Sequence, residues 1–258
     1  MQQLASCTNT SVMYRDVGSN PIWGSKMKCI ACNTKLKKGN DYCPYCGAPI
    51  TKGKFTDITI ILDRSGSMGG ATDKTIKAFN NYILEQRQME SKAMVSLHQF
   101  NTGYETTYKN IGLNKAIELT RENYIPGGGT ALLDAIGKTI SEKKQFYKQL
   151  SKSKIPEQTL LLIITDGEEN SSVEYNLSTI RKIIGEQKKK GWQFAFIGAE
   201  IDAFNEAGSM GIAKGATMKI NSIQDFNVGY AAASNATMKY RATGGSFMFH
   251  QKKGKEDT

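Results

Sequence analysis

The sequence predicts an α/β fold: an open, doubly wound sheet of mostly parallel strands, with a small cysteine-rich unit in front of it. Three observations carry that prediction. Short, nearly continuous apolar runs recur at Ile58–Leu62, Leu160–Ile164 and Phe194–Ile197, which is how strands covered on both faces of a parallel sheet read. Between them lie apolar stripes at helical spacing. Ahead of them, two close cysteine pairs sit in a lysine-rich stretch.

The elements follow in order. Residues 1–26 show no sustained periodicity and are expected to form a flexible leader, with Met27 as an alternative start to Met1. Residues 27–50 hold the cysteine pairs, and 51–54 ("TKGK") form a linker. The main domain is expected over 55–243. Its first strand, Ile58–Leu62, is followed by a helix with Ile76, Phe79 and Ile83 on one stripe. "AMVSLHQF" (93–100) is a second strand, and the polar "YETTYKN" after it suits a sheet edge. Leu133, Ile136 and Ile140 mark the next helix, before the strand at Leu160–Ile164. Ile180, Ile183 and Ile184 mark another, with Gly191 as its C-terminal stop. Phe194–Ile197 and the weaker "ATMKI" (216–220) complete the strands, and 244–258 read as a basic tail. This alternation is that of a Rossmann-like sheet, in which ligands bind at the carboxyl ends of the strands where the strand order reverses.

Composition bounds the rest. A chain of 258 residues that is 39% hydrophobic can bury one substantial core and carry a small appendage. The net charge of +10 is concentrated at the N-terminus, where residues 1–54 carry eight Lys or Arg against two Asp or Glu. No apolar run is long enough to span a bilayer and no signal sequence opens the chain, so a soluble, cytoplasmic protein with no membrane partner is expected. Cys7 reads as an ordinary free thiol.

Three separated segments fall at the ligand-binding edge. Asp63, Ser65 and Ser67 follow the first strand, Thr130 ends "PGGGT" before a helix, and Asp166 follows the strand that begins near Leu160. Hydroxyls and carboxylates make a hard, oxygen-only donor set suited to Mg²⁺ or Mn²⁺. On these residues the chain resembles a von Willebrand factor type A (vWA) domain with a metal-ion-dependent adhesion site. The family's D-x-S-x-S stands as Asp63-Arg64-Ser65-Gly66-Ser67, its threonine as Thr130 in "GGGTALLDA", and its later aspartate as Asp166 in "TDG". The resemblance implies that these residues hold Mg²⁺ directly or through water, with a coordination position left for a Glu or Asp of a partner protein. It further suggests bacterial or phage-type intracellular assemblies, including AAA-type ATPases, as the setting.

An enzyme is not expected. No G-x-x-x-x-G-K-[ST] occurs and no G-x-G-x-x-G follows the first strand, which argues against nucleotide handling. His98 lies within a strand and His250 in the tail. A phosphoester hydrolase is the alternative, with Glu168 or Glu169 as base or extra ligand, though both read as exposed loop carboxylates.

Cys29-x-x-Cys32 and Cys43-x-x-Cys46 have the spacing of a minimal zinc ribbon, in which four thiolates close a tetrahedral Zn²⁺ site. A unit of that size buries too little apolar surface to fold alone, so the metal would serve as its core. Its lysines, with Tyr42 and Tyr45, give nucleic-acid binding as a further alternative.

Overall fold

The computed structural model describes residues 54–199 and 202–249, together with Tyr45. The expected leader, the cysteine unit with Cys29, Cys32, Cys43 and Cys46, and His250 lie outside the described residues.

Six strands form one sheet in the order β3-β2-β1-β4-β5-β6. They are β1 (Thr56–Asp63), β2 (Ala93–Phe100), β3 (Tyr104–Gly112), β4 (Gln158–Thr165), β5 (Gln193–Ala199) and β6 (Thr217–Ile220). All neighbours run parallel except β2 and β3. Every residue of β1 and of β4 is buried, because helices cover both faces of the sheet. Helices α1 (Thr72–Arg87) and α5 (Phe226–Thr243) pack together, as do α2 (Leu132–Gln149) and α3 (Leu177–Lys188). A short α4 (Ala203–Ser209) links β5 to β6. No described helix is long and apolar enough to cross a membrane.

The polar stretch after β2 becomes the antiparallel edge strand β3, as its composition predicts. The turn between them is tied by Asn101, whose Oδ1 accepts from Gly103 N at 2.8 Å while its own N–H donates to Gly103 O at 3.0 Å. Gly191 takes φ 88° just beyond α3, which lets the chain reverse into β5.

Packing also runs past the expected domain end at 243. Gly244 closes α5 at φ 71°, and Phe247 and Phe249 then return to the core at 2% and 6% exposure. Phe249 N donates to Gly215 O at 2.9 Å, so the expected tail begins later than residue 244. Burial of two aromatic rings outweighs the polar character of the residues that follow them.

The strand order reverses between β1 and β4, which bond directly with Leu62 opposite Ile164. That crevice brings the residues after Leu62 and after Ile164 together.

Candidate metal centre

Asp63 is the last residue of β1 and is fully buried. Its Oδ1 accepts from Ser65 N at 2.6 Å, which turns the chain sharply out of the strand. Its Oδ2 accepts from the Thr165 hydroxyl at the end of β4, and its carbonyl accepts from the buried Tyr124 hydroxyl at 2.8 Å. Ser65 Oγ and Ser67 Oγ lie 3.1 Å apart, and Ser67 Oγ donates to Asp166 Oδ1 at 2.8 Å. Four of the five expected site residues are thus joined in one hydrogen-bonded chain.

Thr130 completes the group. Its hydroxyl lies 3.1 Å, and that of Ser67 3.7 Å, from the position a β-carbon on Gly167 would occupy. Thr130 as a residue is only 3% exposed. Ser67, by contrast, is exposed, so the cluster opens to solvent on its side. Burial pushes the Asp63 carboxyl up to about 6, opposed by its hydrogen bonds and reinforced by the nearby Asp166. Two carboxylates, two serine hydroxyls and a threonine hydroxyl converge where a hard cation would relieve that carboxylate crowding.

A sequence model of the von Willebrand factor type A domain matches residues 57–239. The chain belongs to this family. No curated protein sequence matches it. Among solved structures, the vWA domain is similar to proximal thread matrix protein 1 of the mussel byssus, with 13% identity, a TM-score of 0.52, and coverage of 74% of this chain and 47% of that one. The chain therefore spans about half the length of the mussel protein. A second structure of that protein has its MIDAS motif occupied by zinc (12% identity, TM-score 0.51, covering 73% and 47%). The type V pili tip protein Mfa5 of Porphyromonas gingivalis has a vWF domain matching with 8% identity and a TM-score of 0.54, over 75% of this chain and 98% of that one. At these identities the likeness is one of fold. Members of the vWA family commonly act as metal-dependent protein-interaction modules, with a divalent metal at the MIDAS.

The vWA loops are braced by backbone bonds across the glycine loop and by Asn170, which no motif singles out. Arg64 O accepts from Gly127 N and Gly66 N donates to Gly128 O, both at 2.9 Å, fastening the glycine loop to the D-x-S-x-S turn. Gly128 takes φ 78°, so this close backbone approach needs glycine there. Asn170 brackets Thr130: its Oδ1 accepts from Thr130 N at 2.9 Å and its N–H donates to Thr130 O at 3.0 Å.

Glu169 corrects the expectation of an exposed loop carboxylate. It is half-buried and accepts from Leu133 N, Ser171 N, Ser172 N and the Ser172 hydroxyl at 2.7–2.9 Å. Asp134, 5% exposed, returns the clasp by accepting from Val173, Glu174 and Tyr175 N–H groups at 2.8–3.0 Å. Acidic acceptors at a helix's first turn are the recognisable signal, but here they serve a loop distant in sequence. Glu168 is exposed as expected, and it raises the half-buried Glu206 of α4 together with Glu169, after the effect of burial.

His98 lies away from this centre, beneath α2. Its Nδ1 bonds the hydroxyls of Tyr104 at 2.8 Å and Thr106 at 3.0 Å. Burial, with Lys143 and Lys109 nearby, depresses it to about 3.

Proposed function

We propose that this vWA domain is a metal-dependent protein-binding module in which Asp63, Ser65, Ser67, Thr130 and Asp166 hold Mg²⁺, or Mn²⁺ in its place. The ion supplies an electrophilic centre whose remaining coordination position takes a Glu or Asp carboxylate from a partner protein. The observation that carries this reading is the convergence of oxygen donors from three loops: Ser67 Oγ bonds both Ser65 Oγ and Asp166 Oδ1, and the Thr130 and Ser67 hydroxyls flank the same point beside Gly167. Asp63 is held by Ser65 N and Thr165, so its role is to fix the turn and the ion's water shell.

The reading favours an adaptor over an enzyme because Glu169, a candidate base, is engaged by four donors, and His98 lies away from the site beneath α2. An N-terminal ribbon closed by Zn²⁺ on Cys29, Cys32, Cys43 and Cys46 would add a second docking element. A cytoplasmic, bacterial or phage-type assembly, with an AAA-type ATPase as one candidate partner, belongs to the same proposal.

Calorimetric titration with Mg²⁺ tests it. A saturable site is expected in the wild type, together with thermal stabilisation of about 2.7 kcal/mol at a hundredfold excess over Kd. Both are expected to vanish in Asp63→Ala and to weaken at least about tenfold in the near-isosteric Thr130→Val, for loss of one oxygen ligand. A wild type that binds neither Mg²⁺ nor Mn²⁺, or a partner complex that survives chelation, would overturn it.

A further inference from the structure

The pole of the domain opposite the metal centre carries a different surface. Parallel strands β4 and β5 are neighbours, with Leu160 opposite Gln193, so the segments entering them lie side by side. The first contains the end of α2 and a short turn, with Lys148, Lys152 and Lys154 exposed. The second contains the end of α3, with Lys188, Lys189 and Lys190 exposed. The two are locked together by Tyr147 and Trp192, whose ring centroids lie 5.6 Å apart at 72°. Six lysines therefore sit on one rigid patch. Lys188 donates to Gly211 O at 3.0 Å. Among the described residues none of the six lies within ion-pair distance of a carboxylate, although Glu157 and Glu186 are exposed in the same segments.

A run of lysines on a single helix face is usually no more than a solvated surface. Here the charge comes from two segments that the fold brings together, where unpaired like charges repel unless a counter-charge arrives. We propose that this pole binds the phosphate backbone of a nucleic acid without reading sequence. Lysine is a point-charge phosphate binder without the bidentate fork that reads a base edge. A membrane surface fits less well, because the exposed large apolar side chains of the described residues, such as Val173, Ile125 and Leu84, lie outside these two segments. The metal centre is at the other end of the strands, about 25 Å away for an eight-residue strand, so this binding is independent of the reading above.

The test uses the full chain and a short fluorescent DNA duplex of mixed sequence, followed by anisotropy at rising salt. The triple variant Lys148→Glu, Lys152→Glu, Lys190→Glu is compared with a control triple of equal charge change, Lys74→Glu, Lys77→Glu, Lys219→Glu, all six positions being exposed. The wild type is expected to bind at about 50 mM salt and to weaken steeply with salt. The patch triple should bind at least about tenfold more weakly than the control triple, with a salt slope shallower by about 2–3. Equal losses in the two triples, no loss in the patch triple, or no binding by the wild type would overturn the proposal. So would binding to phosphatidylserine vesicles with none to the duplex. Mg²⁺ binding measured on the patch triple separates the two poles, since it is expected to be unchanged there.

Discussion

At the scale of single residues, Asp63, Ser65 and Ser67 were legible because their spacing is local and needs only one turn after one strand, whereas Thr130 and Asp166 stand on separate segments that the strand-end pattern and the family resemblance put beside them. Glu169 was not legible, since its partners Leu133 and Ser172 flank it from different elements and nothing in "TDGEEN" distinguishes its second glutamate from its first. The difference is large in the structure. Glu169 receives four hydrogen bonds while Glu168 is exposed. Charge-assisted bonds of this kind are worth about 1.5–3 kcal/mol where partly buried. Glu169→Ala is therefore expected to destabilise the domain by about 1–3 kcal/mol in urea unfolding and to weaken Mg²⁺ binding, because the loop carrying Asp166 loses its anchor to α2. Glu168→Ala is expected to change stability by less than about 0.5 kcal/mol, as a surface substitution does. Equal effects of the two would remove the clasp from the account.

Among the elements, the strands were read nearly in full, because a strand covered on both faces is an unbroken apolar run whatever its neighbours are. Helices α1, α2 and α3 were read by their stripes, while α4 and α5 were not, and what the stripes rest on was hidden. In α2 the stripe Leu133, Ile136, Ile140 continues to Lys143, a buried lysine paired with the buried Asp57 at 2.9 Å. No pattern announces a lysine that completes an apolar face only because an aspartate waits beneath it. Gly137 was equally silent. A β-carbon there would stand 2.5–2.6 Å from ring atoms of Tyr175, which lies in the loop that Asp134 clasps. An alanine in mid-helix ordinarily gains up to about 1 kcal/mol over glycine, whereas overpacking against an aromatic ring costs about 1–3. The clash decides the sign. Gly137→Ala is expected to lower the thermal midpoint and to weaken Mg²⁺ binding by displacing the loop, and Gly137→Ala combined with Tyr175→Ala should recover part of the stability. A raised midpoint in the single variant would show that the ring yields freely.

For the whole molecule, charge divides along the strands, with the carboxylates of the metal centre at one end and six lysines at the other. Overall composition concealed this, since residues 55–258 carry a balance of only +4; polarity of this kind exists only once neighbouring strands are known. Between the poles lies His98, and it links the fold to pH. It is packed against Tyr104 and Thr106 of β3, with Lys109 of β3 and Lys143 of α2 as the cations that act on it and Glu142 of α2 lining the same small cavity. Its ordinary value of 6.5 falls to about 3 in the folded chain. Between those limits the unfolded chain binds a proton that the folded chain refuses, so stability is complete above pH 6.5 and is lost as pH falls toward 3. The slope approaches about 1.4 kcal/mol per pH unit once the pH is well below the upper limit. Asp63 contributes in the opposite direction, since its folded value is raised to about 6, and a single stability curve would mix the two. His98→Gln separates them: it keeps a polar side chain for Tyr104 and Thr106 but cannot titrate. In urea unfolding from pH 7 to pH 4, the wild type is expected to lose stability relative to His98→Gln progressively with acidification, and the difference between the two curves removes every group they share. Parallel curves would mean that His98 takes up its proton in the fold as readily as in the unfolded chain, and that burial beneath α2 does not exclude the charge.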